Sequence, residues 1–174
     1  MNRNWLSLNF LILLTTSLFL NGCGYHLVGT GSSLPTHLKT LSISVFSNTS
    51  SEPEIHRELT SNIIDSFITD GRLKVVRKGS ADMVMKGTLY YYDLKAVSFS
   101  SNDFVSDYIV ELGVDVQVID KVNDKLYMKD KFKTKWDYRA TSDIVNTESA
   151  RLAALEEAYK ELGNRLVSLL IDQF

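Results

Sequence analysis

The chain has 174 residues, enough for one domain with a real core and no need of disulfide staples. Its composition, 44% hydrophobic and 23% charged, excludes collagen-like, low-complexity and fully disordered classes. Nineteen basic against 21 acidic residues, one cysteine and three histidines weigh against a nucleic-acid-binding surface, an intrachain disulfide and a His/Cys zinc site.

Residues 1–22 read as a lipoprotein signal. Asn2, Arg3 and Asn4 form a short, weakly basic start, and Trp5 to Leu20 is uncharged and rich in Leu, Phe and Ile. The alternative, a transmembrane anchor, fits less well. Polar residues interrupt the apolar stretch, which ends in Asn21-Gly22. Leu20-Asn21-Gly22-Cys23 resembles a bacterial lipobox, in which cleavage precedes the cysteine and its thiol is lipidated. Cys23 is therefore the expected lipidation point, and acyl chains there would hold the domain on a membrane. Gly24, where an Asp would resemble an inner-membrane retention signal, points to the outer membrane. Residues 23–37, with Gly24, Gly29, Gly31 and Pro35, read as a lipidated tether. Residues 38–174 read as a single domain.

Within that domain, Leu41, Ile43 and Val45 alternate with Thr40, Ser42 and Ser44, the pattern of a half-buried strand over Leu38–Phe46. Ser51-Glu52-Pro53-Glu54 has the form of a capping box and predicts a helix start. Ile55, Leu59, Ile63 and Phe67 give its apolar stripe, Asp70-Gly71 its stop, and His56 a solvated position off the stripe. Leu73–Val76 is a short apolar run. Met83–Val97 reads as a long strand, bent at Gly87. Phe104–Ile119 and Leu126–Arg139 alternate strictly and predict a hairpin with even residues toward the core. Thr147 is placed to cap a last helix striped by Leu152, Leu155, Tyr159, Leu162, Leu166 and Leu169.

The expected class is α+β: a four-stranded mixed twisted sheet in the order β-α-β-β-β-α, with two helices packed on one face. No nucleophilic elbow or carboxylate dyad is evident, so an enzyme, and with it a cofactor, is disfavoured. The feature above background is the run Lys129, Lys131, Lys133 and Lys135, with Arg139 beyond, on the strand side away from the helices. Such a row sets ammonium groups about 6.6 Å apart, suiting a ligand with several phosphates or carboxylates. The other reading is a solvated strand neutralised by its neighbour. Pairing residue 119 with 125 puts Asp115 opposite Lys129 and Glu111 opposite Lys133, and leaves Lys131 and Lys135 unpaired. Tyr90, Tyr91 and Tyr92 in succession place at least one tyrosine on the outer side.

Cys23-Gly24-Tyr25-His26-Leu27, Gly29-Thr30 and Leu34-Pro35, with Gly71, the three-strand meander and the leucine-rich last helix, resemble the LptE family. That resemblance implies a non-catalytic outer-membrane lipoprotein without a cofactor. It implies two partners: a large β-barrel, LptD, whose lumen the protein plugs, and lipopolysaccharide, which it binds. It also favours ligand binding at Lys129, Lys131, Lys133, Lys135 and Arg139. A different class remains open, a periplasmic lipoprotein that regulates or scaffolds an envelope complex by binding protein only.

Overall fold

A computed structural model describes residues 34–172, apart from Asp103 and Ser142. The signal, Cys23 and most of the tether lie outside the described residues. The elements run β1 (Thr40–Ile43), β2 (Ser47–Asn48), α1 (Ile55–Asp70), β3 (Lys74–Val75), β4 (Met83–Phe99), β5 (Val105–Asp120), β6 (Lys125–Arg139) and α2 (Ile144–Ile171). The sheet order is β3-β1-β4-β5-β6, with β2 beside β4. β1 lies parallel to β3 and β4, while β4, β5 and β6 form an antiparallel meander.

The α+β class and the mixed sheet match expectation, but the strand count rises from four to six. Two-residue strands are too short to show an alternation. The expected strand over Leu38–Phe46 breaks because Phe46 turns inward, where it is buried and its N–H donates to Thr60 Oγ1 at 3.0 Å. The chain then rejoins the sheet as β2. The Leu73–Val76 run becomes β3, edging β1.

Three local expectations are corrected. The capping box does not form: Glu54 takes the N-cap position with φ 66° and no side-chain cap, and Ser51 Oγ donates to Tyr92 O instead. Gly87 is not the irregular point of β4. It makes room for the Phe46 ring, and the register breaks between Leu89 and Tyr91. α2 starts at Ile144, capped by Asp143 through Val145 N at 2.9 Å, whereas Thr147 Oγ1 accepts from Thr141 N at 3.0 Å.

The parity of the meander builds the core. Val110, Leu112, Val114, Val116 and Val118 of β5 and Phe132 and Tyr138 of β6 are buried on the even side. Leu59, Ile63 and Phe67 of α1 and Leu155, Tyr159, Leu162 and Leu166 of α2 join them in one cluster. Leu152, expected in the stripe, is half exposed. Gly163 lies against Ser66 of α1, where a Cβ would collide with the hydroxyl, so the two helices need glycine there.

Leu162→Ala should cost about 2–5 kcal/mol, because it empties a fully enclosed site. Lys160→Ala should cost under about 1 kcal/mol, since its pairs with Glu156 and Glu157 are exposed. Urea denaturation of the two variants checks this; equal losses would contradict the helix orientation.

Candidate functional site

The candidate site is the sheet face without helices. Odd-numbered residues of β5 and β6 point there, so Lys129, Lys131, Lys133, Lys135 and Arg139 share one side of β6 and are all exposed. The sequence-based register is corrected by two residues. Asp115 stands opposite Lys131, Gly113 opposite Lys133, Glu111 opposite Lys135 and Gln117 opposite Lys129. A bulge between Val118 and Ile119 and the turn at Asp120 set this offset. The shift is even, so the faces are unchanged.

The electrostatics follow from the register. Lys131 approaches Asp115 at 3.8 Å, Lys133 approaches Glu111 at 3.4 Å on the diagonal, and Arg139 approaches Asp107 at 3.5 Å. Lys129 and Lys135 have no ion pair among the described residues. Glu111 also meets Lys95 of β4 at 3.3 Å. Burial pushes its carboxyl up, but hydrogen bonds from Lys95 and Lys133 outweigh this and hold it below its usual range. The expected pair of Glu111 with Lys133 therefore exists. Lys131, expected to be unpaired, is paired.

Tyrosines lie under the central lysines. Lys133 Nζ sits 4.0 Å from the Tyr91 ring centroid, and Lys131 Nζ sits 5.2 Å from that of Tyr90. The bulge in β4 turns both residues outward while Tyr92 faces the helices. Regular alternation would have separated Tyr90 from Tyr91. Gly113 provides the space: a Cβ there would stand 2.8 Å from Tyr90 Cζ and 2.9 Å from Tyr91 Cβ. The tyrosine run and Gly113 were both visible in the sequence, but the bulge that joins them was not. The arrangement offers cations on an aromatic floor with carboxylates alongside, suited to reversible anion contact rather than bond making.

Elsewhere, His37 Nε2 lies 3.0 Å from Asp120 Oδ2, and Leu34 packs on the core, so the end of the expected tether is docked. His37, then the Asn123 side chain and the backbone N–H groups of Asn123 and Val122, hold the Asp120 carboxyl far below its usual range. His56, expected to be solvated, is half-buried, with Nδ1 enclosed and without a hydrogen-bond partner among the described residues. Among the described residues, no three His, Cys, Asp or Glu side chains cluster to hold a metal. None of the described helices is long and apolar enough to cross a membrane.

The sequence profile of the family LptE, lipopolysaccharide-assembly, matches residues 38–170. Among curated proteins, no sequence matches the chain. The fold resembles that of an uncharacterised lipoprotein B from Nitrosomonas europaea, with TM-score 0.55 and 15% identity over 83% of this chain and 88% of that one. It also resembles rare lipoprotein B from Shewanella oneidensis, with TM-score 0.52 and 18% identity over 75% and 92%. A hypothetical protein from Chlamydia trachomatis, CT253, gives TM-score 0.54 at 9% identity over 76% and 98%. At these identities the likeness shows the fold.

Gly113→Val sets two effects against each other. Strand propensity favours valine, on a scale spanning about 1 kcal/mol. Overpacking against the tyrosines opposes it, typically by about 1–3 kcal/mol. The structure predicts net destabilisation and a changed tyrosine environment, read by urea denaturation and near-ultraviolet circular dichroism. A more stable variant would contradict the tyrosine placement.

Proposed function

The chain belongs to the LptE lipopolysaccharide-assembly family, and from that premise we propose a non-catalytic outer-membrane lipoprotein that binds lipopolysaccharide and plugs an LptD-like β-barrel. Cys23 carries the lipid anchor in this reading. The described domain then sits on the periplasmic side, within the barrel.

The observation that carries ligand binding is the cation row on β6. Lys129 and Lys135 have no carboxylate partner among the described residues. The pairs of Lys131, Lys133 and Arg139 are 3.4 to 3.8 Å long and largely exposed on the cation side. Exposed pairs of this kind contribute about 0–1 kcal/mol each. A ligand bearing several phosphates can therefore displace them at small cost, and gains from charge-assisted contacts. Lysine suits phosphates of varied geometry, because it is a compact charge on a flexible stem. The acids of β5 set the opposing term. They limit non-specific anion binding and favour ligands whose charges match the spacing of the row.

Charge reversal at Lys129, Lys131, Lys133 and Lys135 to Glu should leave the fold intact, since all four residues are exposed and the pairs of Lys131 and Lys133 that it breaks contribute only about 0–1 kcal/mol each. Binding of purified lipopolysaccharide should fall sharply. Wild-type binding should weaken with salt, because exposed charges are screened beyond about 10 Å at 0.1 M. Titration at low and high salt, with circular dichroism as the folding control, checks both statements. Unchanged binding by a folded variant would remove the row as the ligand site.

A further inference from the structure

The two outer edges of the meander are protected differently. β6 presents alternate lysines along its free edge, a pattern that discourages another strand from adding. β4 lacks such protection over part of its length. On the side away from β5 it pairs with β1 through Met83–Met85 and with β2 through Thr88 and Leu89. Ser51 Oγ then donates to Tyr92 O at 3.3 Å. From Asp93 onward, no strand among the described residues lies alongside.

Asp93–Ala96 keeps a regular register with β5: Asp93 with Glu111, Leu94 with Val110, Lys95 with Ile109 and Ala96 with Tyr108. Its outward N–H and C=O groups therefore keep strand spacing. A bulge at Val97 ends this stretch. The side chains here and just beyond are mostly apolar, and Leu94, Val97 and Phe99 are exposed. The one lysine, Lys95, is held by Asp93 at 3.1 Å and Glu111 at 3.3 Å, so its charge is directed away from the edge. On the helix side, a hollow of about 460 Å³ is lined by Tyr92, Leu94, Tyr108, Tyr138 and Ile144. Tyr108 and Tyr138 stack there with centroids 5.4 Å apart, and burial pushes the Tyr138 phenol up to about 12. Arg151 stands at its end, held by Glu148, Glu52 and the Tyr92 hydroxyl.

We propose that Asp93–Ala96 is a docking edge that takes an extended segment of a partner protein as an added β-strand. An apolar side chain of that segment would lie over Leu94 in the tyrosine-lined hollow. Two features select this occupant. The outward backbone groups, which no strand among the described residues pairs, offer donors and acceptors at strand spacing, and the apolar side chains beside them are left exposed. An added strand meets both, with main-chain bonds supplying affinity and the hollow supplying specificity. An acyl chain would cover the side chains but leave the backbone groups desolvated and unpaired. A second copy of this chain in the antiparallel register centred on Leu94 would set its Phe99 against Leu89, where β2 already pairs; a copy in any other register is an outcome the experiment below distinguishes. The inference concerns the hairpin end of β4 and does not depend on ligand binding at the β6 row.

The test places a photo-crosslinking amino acid singly at Leu94, Ala96 and Val97 of the full chain in its native cells, with Lys133 as a control position. Adducts are then mapped to residues by mass spectrometry. The proposal expects adducts to one stretch of one partner chain, with attachment points advancing in order along that stretch. It also expects Leu94→Lys with Val97→Lys to reduce the Ala96 adduct about tenfold while the melting curve of the purified variant stays unchanged. Adducts to a second copy of this chain, to lipid, or scattered over several proteins would overturn it. So would the absence of any adduct, or an adduct yield that the paired lysines leave unaltered.

Discussion

Side-chain parity along the three long strands is the constraint on which the rest depends. A strand alternates its side chains between two faces, so a register shift of one residue would exchange core for surface. β5 and β6 keep one parity from Val110–Trp136 to Val118–Met128, and only past the bulge at Val118 does Leu126, expected in the core, fall opposite Ile119 and stand exposed. That parity places Val110 to Val118 and Phe132 in the core and sends all four lysines to the open face. β4 changes parity at the bulge between Leu89 and Tyr91, well before its second irregularity at Val97. Before the first bulge Met83, Met85 and Leu89 face inward; after it Tyr92 and Leu94 take the helix side. That single extra residue puts Tyr90 and Tyr91 together beneath Lys131 and Lys133.

The same parity explains what was legible in the sequence. Period-two alternation is local, so the faces of β5 and β6 could be read from the residues alone. Alternation therefore puts the lysine row on the correct side even where the hairpin pairing read from the sequence is two residues from the observed register. Register depends on a bulge at Val118 and on the turn geometry around Asp120, and neither leaves a periodic trace. β2 and β3 are two-residue parallel pairings, held by Phe46 turning into the core and by a short return from α1. Their existence is a tertiary fact. Both helices start away from the expected caps, at Ile55 and Ile144, for one reason. Ser51 and Thr147 have the chemistry of caps, but their hydroxyls are engaged by Tyr92 O and by Thr141.

The domain is two-sided and has two distinct ends. One face is closed by helices and the other carries cations on tyrosine rings. At one end, the chain enters beside the β5–β6 turn, where His37 meets Asp120 and Asn123. At the other, the β4–β5 hairpin presents Leu94, Val97, Phe99 and Phe104 to solvent.

Family membership shows a role in lipopolysaccharide assembly, and the proposal built on it is that the chain works inside a larger barrel and handles lipopolysaccharide there. Affinity purification of the tagged full chain from detergent-solubilised outer membranes tests it most directly, with mass determination of the intact complex. The account predicts a stable complex with one large β-barrel protein that carries bound lipopolysaccharide. Recovery of the chain alone, or with soluble periplasmic proteins and no barrel, would contradict it.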